Sequence, residues 1–337
     1  MSKIYILNLS QKSGLLTQLQ SDTIFGHFCW RMRDLIGEDK LKEFLESYRS
    51  GCPVFTVSNS FFERDKIIYL PNSLLPFSNE KKETNKDEKI RNFLKYKDSK
   101  KMKFLTLKQF NFALNGEKEE LEKSILEVDV KQPKYIEDLR TSVEISRETF
   151  SSKESQLFSY APYYVQEELI NSKRNEFTKT NTVIFIKILY EEKFNEKNFD
   201  CENILKDVFN IGFGKKKSSG YGEFEVNGFD NFEGFKEPDD SNGFITLSNY
   251  LPSVEDKITA DNSYYDLNIK YGKLGEELAL SLNPFKKPIV FMTPGSCFKT
   301  DVKKDYYGRC VRDIVELSGW KDKVLQNGIA FTLRIRI

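Results

Sequence analysis

Four glycines, Gly212, Gly214, Gly220 and Gly222, fall within eleven residues, and what flanks them limits the folds open to the chain. Before them, Ile204, Leu205, Val208 and Ile211 recur at helical spacing, and Asp200 can cap the helix they predict. After them, a strand runs to about Gly228. The order is helix, loop, strand. A Walker loop needs the reverse, a strand feeding Gly-Lys-Ser/Thr into a helix. The Rossmann fingerprint fails on the same order, and Lys217 stands where its third glycine belongs. No helix N-terminus follows to hold a phosphate. What remains is a loop carrying Lys215, Lys216, Lys217, Ser218, Ser219 and Tyr221. Backbone amides, lysines and serines are the usual donors to a sugar–phosphate chain, and glycines let it come close. A plain glycine-rich turn with solvated lysines has the same composition, and the local physics leaves both readings open. Gly220-Tyr-Gly-Glu-Phe224 also overlaps the RNA-contacting strand of RRM domains, with Ser219 in place of the expected base.

The rest of the chain interleaves strands and helices. Lys3–Leu9 alternates as a strand does, and Ser21, Asp22 and Thr23 offer N-caps for a helix to about Ile36. Its apolar stripe holds Ile24, Phe28, Cys29, Met32, Leu35 and Ile36. A second helix is predicted over 39–48, short strands over 54–58 and 66–70, and a helix over 116–128. The β-branched run 182–190 predicts a strand. Residues 130–165 are polar and read as a long hairpin leaving the core. Residues 229–243 resemble a domain boundary, and Ala330–Ile337 alternates as a half-buried strand. The fold class predicted is α+β, with mostly antiparallel sheets covered by helices on one face. The domains are expected at 1–230 and 240–337.

Charge and chemistry narrow the function. The chain of 337 residues carries 52 Lys+Arg against 51 Asp+Glu, so positive charge for a polyanion must be local. Residues 81–108 hold one such excess, 11 basic against 4 acidic, which is the mark of a solvated surface or of a basic arm. The aromatic content of 14% accompanies abundant Lys, Asn and Ile and only five Ala, a genome bias rather than a stacking surface. Five scattered cysteines without a CxxC argue for reduced thiols, against a zinc site, and for the cytoplasm. No cofactor and no metal are expected, and no run is long enough to span a membrane. Any imidazole chemistry falls on His27, the only histidine.

The stretch Gly212-Phe-Gly-Lys-Lys-Lys-Ser-Ser-Gly-Tyr-Gly-Glu-Phe224 resembles the glycine-rich loop of RAMP proteins, the RRM-like subunits of CRISPR effector complexes. Leu19-Gln-Ser-Asp-Thr-Ile-Phe-Gly-His-Phe-Cys-Trp30 is similar to the first-helix signature of the fourth subunit of Csm, the type III-A complex. Tyr69-Leu-Pro71, Arg140–Thr149 and Pro294-Gly-Ser-Cys-Phe298 resemble weaker blocks in the same order. The resemblance implies two ferredoxin-like domains and a protruding thumb hairpin at about 130–165. It implies a non-catalytic subunit that caps the 5′ handle of the crRNA. It also implies docking onto the large polymerase-like signalling subunit on one side and a backbone RAMP subunit on the other. Carried onto this chain, it implies RNA contacts at Ser21, Asp22, Thr23, Gly26 and His27 and at Gly212, Gly214, Lys215, Lys216, Lys217, Ser218, Ser219, Gly220, Tyr221 and Gly222. Arg140 and Arg147 follow for the thumb, and Gly295 and Ser296 for the second domain. The alternative is a metal-independent CRISPR-repeat endoribonuclease. It would use His27, which helical spacing sets with Arg31 and Asp34 off the apolar stripe, hence partly exposed.

Overall fold

A computed structural model describes residues 3–76, 102–127, 132–145, 147–167, 169–171, 176–316 and 324–337. Most of the basic segment 81–108 lies outside these residues.

The first half runs β1 (Lys3–Gln11), α1 (Ser21–Ile36), α2 (Glu38–Arg49), β2 (Phe55–Val57), β3 (Phe61–Arg64), β4 (Ile67–Pro71) and β5 (Phe104–Thr106). Then come α3 (Leu107–Leu114) and α4 (Lys118–Glu127). An excursion follows, with β6 (Tyr135–Glu137), β7 (Arg140–Ile145), β8 (Ser152–Tyr160), β9 (Tyr163–Val165), β10 (Leu169–Asn171) and β11 (Glu176–Phe177). The chain returns through β12 (Thr180–Ile188), α5 (Glu191–Phe194), α6 (Cys201–Asn210) and β13 (Phe224–Asn231). The sheet order is β13-β1-β12-β3-β4-β5, and β2 also pairs with β12. Counting β1, β2/β3, β12 and β13 as strands one to four, the order is 4-1-3-2, all antiparallel. With α1 after strand one and α6 after strand three, this is the ferredoxin-like split βαβ arrangement.

The second half adds β14 (Gly243–Thr246), β15 (Ile258–Tyr264), β16 (Leu267–Lys270), β17 (Ile289–Met292), β18 (Cys297–Thr300), β19 (Cys310–Val311), β20 (Gln326–Asn327) and β21 (Thr332–Ile335). Its main sheet is ordered β15-β18-β14-β21. With β14 as strand one, this again reads 4-1-3-2 and is antiparallel throughout. The strand order is ferredoxin-like, but the first crossover carries only a 3₁₀ turn, Val254–Asp256, in place of a helix.

β12 explains how the halves fit. Ile184, Ile186 and Ile188 face α1, α2 and α6 in one core with Leu7, Leu9, Phe28, Phe44, Ile204 and Val208. The alternate residues, Val183 and Phe185, face the other way and share a core with Phe61, Ile245, Leu247, Leu333 and Ile335. A strand buried on both faces reads as a nearly continuous apolar run, as 183–189 does with Lys187 its one interruption. The molecule is therefore layered: α1, α2 and α6, then the first sheet, then the second sheet; α3 and α4 depart from the expectation of helices on one face, adding Phe110, Leu114 and Leu121 to the inter-sheet core. Lys187 lies in this inter-sheet layer, and its ammonium donates to the Thr332 carbonyl at 3.0 Å. On α1 the buried stripe is Ile24, Phe25, Phe28 and Met32; Leu35, expected inside, is exposed. No helix among the described residues is long and apolar enough to cross a membrane.

The excursion is a two-stage hairpin. β6 pairs with β9 near the body, and β7 with β8 beyond it, from Arg140↔Tyr160 out to Ile145↔Ser152. Leu139, Ile145 and Leu157 are exposed, and Phe150 at the far end is 85% exposed, so the outer stage stands clear of the core.

Candidate nucleic-acid interface

The glycine-rich loop leaves α6 at Ile211 and reaches β13 through Glu223. Its composition suggests a flexible tract, but it is tied down. Phe213 is buried with its ring 4.4 Å from His27 and 5.7 Å from Phe209, centroid to centroid. The Phe213 amide donates to the Gly222 carbonyl at 2.8 Å. The Gly222 amide donates to the Gly14 carbonyl, Lys215 N–H to Thr17 Oγ1 and Glu223 N–H to Ser13 Oγ, each at 2.9 Å. The loop is thus stitched to residues 13–17, the link from β1 to α1. Gly222 has φ +73°, and a Cβ there would lie 2.0 Å from the Phe213 carbonyl oxygen, so only glycine fits. Lys217–Ser219 form one 3₁₀ turn, with Ser219 and Tyr221 amides donating to the Lys216 carbonyl. The turn leaves Lys215, Lys216, Ser218, Ser219 and Gly220 exposed.

The base of the hairpin leans on this loop. Arg140 Nη1 donates to the Tyr221 hydroxyl (3.2 Å), Nη2 to the Tyr164 hydroxyl (3.1 Å) and Nε to Asp138 (2.9 Å). The Tyr160 and Tyr221 hydroxyls are 3.2 Å apart. The Lys216 ammonium sits 3.6 Å from the Tyr160 ring centre and 5.2 Å from that of Phe158. Hydrogen bonds from Tyr221 and then Ser142, helped by the Lys216 and Arg140 charges, hold the Tyr160 hydroxyl below its ordinary pKa. Exposed lysines, a guanidinium, two serines and aromatic faces thus converge in one place. Such a set can bind phosphates and stack unpaired bases. The sheet face that an RRM domain uses for this is closed here, because the second sheet covers it.

The remaining sequence-derived residues divide. Gly26 lies on α1 with nothing within 4 Å of a notional Cβ, so the fold itself leaves that spot open. Thr23 beside it takes a 2.6 Å hydrogen bond from the Lys270 ammonium. His27 is half-buried, as its spacing on the helix implied, with its ring packed on Phe213. Burial first, and the Lys217 charge second, push its pKa down to about 4, with Glu276 opposing. An imidazole that weakly basic is a poor match for proton transfer near neutral pH. Ser21 and Asp22 are buried. The Asp22 carboxylate accepts from Lys270 (2.7 Å), Asn249 (2.9 Å) and Gln326 (2.8 Å), and Ser21 Oγ from the Asn249 amide (3.1 Å). Gly295 and Ser296 are also buried. The Gly295 carbonyl accepts from Leu74 N–H, and Ser296 Oγ donates to the Thr293 carbonyl at 2.7 Å. These four residues are engaged in hydrogen bonds within the chain. Arg147 is exposed in the turn at the hairpin's outer end, roughly 20 Å along the strands from Arg140 at about 3.3 Å per residue. The fold does not bring it to the loop. Sequence reading missed Thr17, Phe158, Tyr160, Tyr164 and Glu276; each reaches the site from a distant part of the chain.

The split βαβ sheet, its glycine-rich helix-to-strand loop and the adjoining hairpin define an α+β chain with two ferredoxin-like antiparallel sheets. No family model matches it, and no curated protein matches it in sequence. Solved structures do match. A chain of the Csm1–Csm4 cassette in complex with pppApA is 17% identical over 99% of this chain and 98% of that one, with a TM-score of 0.57. A chain of the Csm3–Csm4 subcomplex of the type III-A CRISPR-Cas interference complex is 17% identical over 99% and 100%, with a TM-score of 0.60. The cassette with AMPPNP gives the same identity and a TM-score of 0.57. Csm4 is the component common to these assemblies, and the chain shares its fold over nearly the whole length.

Proposed function

We propose that this protein is the Csm4-like subunit of a type III-A CRISPR effector complex, binding the 5′ handle of the crRNA without cutting it. The observation that carries the reading is the meeting of the glycine-rich loop with the base of the hairpin. There Arg140 donates to Tyr221, Tyr221 meets Tyr160, Lys216 lies over the Tyr160 ring, and Lys215, Ser218 and Ser219 stand exposed in the same loop. The contacting set is the exposed part of that surface, continued along α1 by Thr23 and Gly26. Its partners are the large signalling subunit and a backbone RAMP subunit, in keeping with the Csm1 and Csm3 found beside Csm4 in the similar structures. The domains are 1–230 and 240–337, and the compartment is the cytoplasm.

The test is a tagged pull-down from the native cell, with sequencing of bound RNA and identification of bound proteins. The expected result is guide RNAs sharing one repeat-derived 5′ end, together with a large subunit and a backbone subunit. Recovery of the protein free of RNA removes the reading.

A further inference from the structure

The third loop lysine already holds an anion. Lys217 Nζ lies 2.6 Å from Glu276 Oε1, and the two side chains are 30% and 35% exposed. Glu276 comes from the second half of the chain, at the start of the 3₁₀ turn Glu276–Leu280. Three neighbouring contacts bring it there. The Gly275 backbone is pressed on Trp30, where a Cβ would lie 3.0 Å from the indole Nε1. Glu277 pairs with Arg33 at 3.4 Å, and Arg33 lies over the Trp30 ring at 4.4 Å. Glu276 itself has φ +48°, a left-handed conformation that a side chain disfavours. The segment thus crosses α1 in a strained shape and sets one carboxylate on one loop lysine.

We infer that Glu276 occupies a phosphate subsite of the loop, and that a backbone phosphate of bound RNA displaces it from Lys217. Carboxylate and phosphodiester oxygens both accept from an ammonium. The lysine is flanked by exposed Lys215, Lys216, Ser218 and Ser219, so a strand following the loop passes its head group. A half-exposed ion pair is weak, whereas a strand binding several cations brings many contacts at once. The carboxylate keeps Lys217 paired while RNA is absent and withholds it from casual anions. This subsite rests on the RNA-binding reading above.

The experiment measures binding of a short labelled single-stranded oligoribonucleotide to the full chain over a salt series. It compares wild type, Glu276→Gln, Lys217→Ala, the pair combined, and Lys215→Ala/Lys216→Ala. Gln keeps the shape and removes the charge. Glu276→Gln is expected to bind about two- to five-fold tighter, the worth of one partly exposed pair, with the log–log salt slope steeper by about 0.7. Lys217→Ala is expected to bind more weakly and to make Glu276→Gln silent. Weaker or unchanged binding by Glu276→Gln, with an unshifted melting temperature, overturns the subsite: Glu276 is then only a structural partner. If Lys215→Ala/Lys216→Ala also binds as wild type does, the RNA-binding reading of the loop falls first.

Discussion

At the scale of single residues, two glycines separate what the fold needs from what a ligand needs. Gly222 is required by the chain: its φ is positive, and the Phe213 carbonyl fills the space a Cβ would take. Gly26 is not required, since it sits in a helix with open space beside it. Gly222→Ala should cost about 3 kcal/mol or more in denaturant unfolding. Gly26→Ala should add about 0.5–1 kcal/mol, because alanine is the better helix former. If RNA lies along this face of α1, Gly26→Ala should nonetheless weaken RNA retention. Unchanged retention by the more stable variant would take α1 out of the interface. The glycine spacing made Gly222 legible in sequence. The aromatic members of the site were not legible, because Tyr160 and Phe158 meet Lys216 only through the hairpin's fold-back and carry no local signal of their own.

At the scale of elements, α1 is the best-read and also the most anchored. Its end at Ile36 agrees with the spacing, but the N-cap is Gln20, with no side-chain cap hydrogen bond; the expected caps Ser21, Asp22 and Thr23 lie in the first turn and serve another purpose. Asp22 accepts from Lys270, Asn249 and Gln326, three groups of the second half of the chain, and so fastens the helix entry there. Asp22→Ala strips one acceptor from three partners and leaves the Lys270 charge unpaired. A loss of about 2–4 kcal/mol is expected in chemical unfolding, and a loss below half of that would mean water takes the place of the carboxylate. Several elements escaped the sequence reading, β3 and α3 among them. β3 is four residues long and contains Glu63 and Arg64, so its strand character comes from pairing with β12, a long-range partner. α3 did carry a signal: Thr106 and Gln109 form a capping box, with both reciprocal hydrogen bonds made. The excess of lysines just before it masked that signal.

At the scale of the molecule, composition and boundary residues suggest two domains, and the strand orders bear out two ferredoxin-like sheets. The packing adds what periodicity cannot show, that the sheets are glued face to face. Val183 and Phe185 are covered by Ile245, Leu247, Leu333 and Ile335. A fragment of residues 1–230 should therefore expose that layer, bind a hydrophobic dye, and lack a cooperative thermal transition. A sharp transition from this fragment alone would show that the first half can close its own core.

The same layer sets an order on synthesis. β21, the strand that completes the cover over β12, is among the last residues of this sequence to leave the ribosome. At about 5–20 residues per second, roughly the last hundred residues take another 5–20 s after β13 is made. Throughout that interval the loop between α6 and β13 has been translated while the sheet behind it still lacks its second layer. Closure of the inter-sheet layer therefore comes after translation has passed β21, and chains that stall short of it are left with the apolar layer uncovered for chaperones and proteases to find.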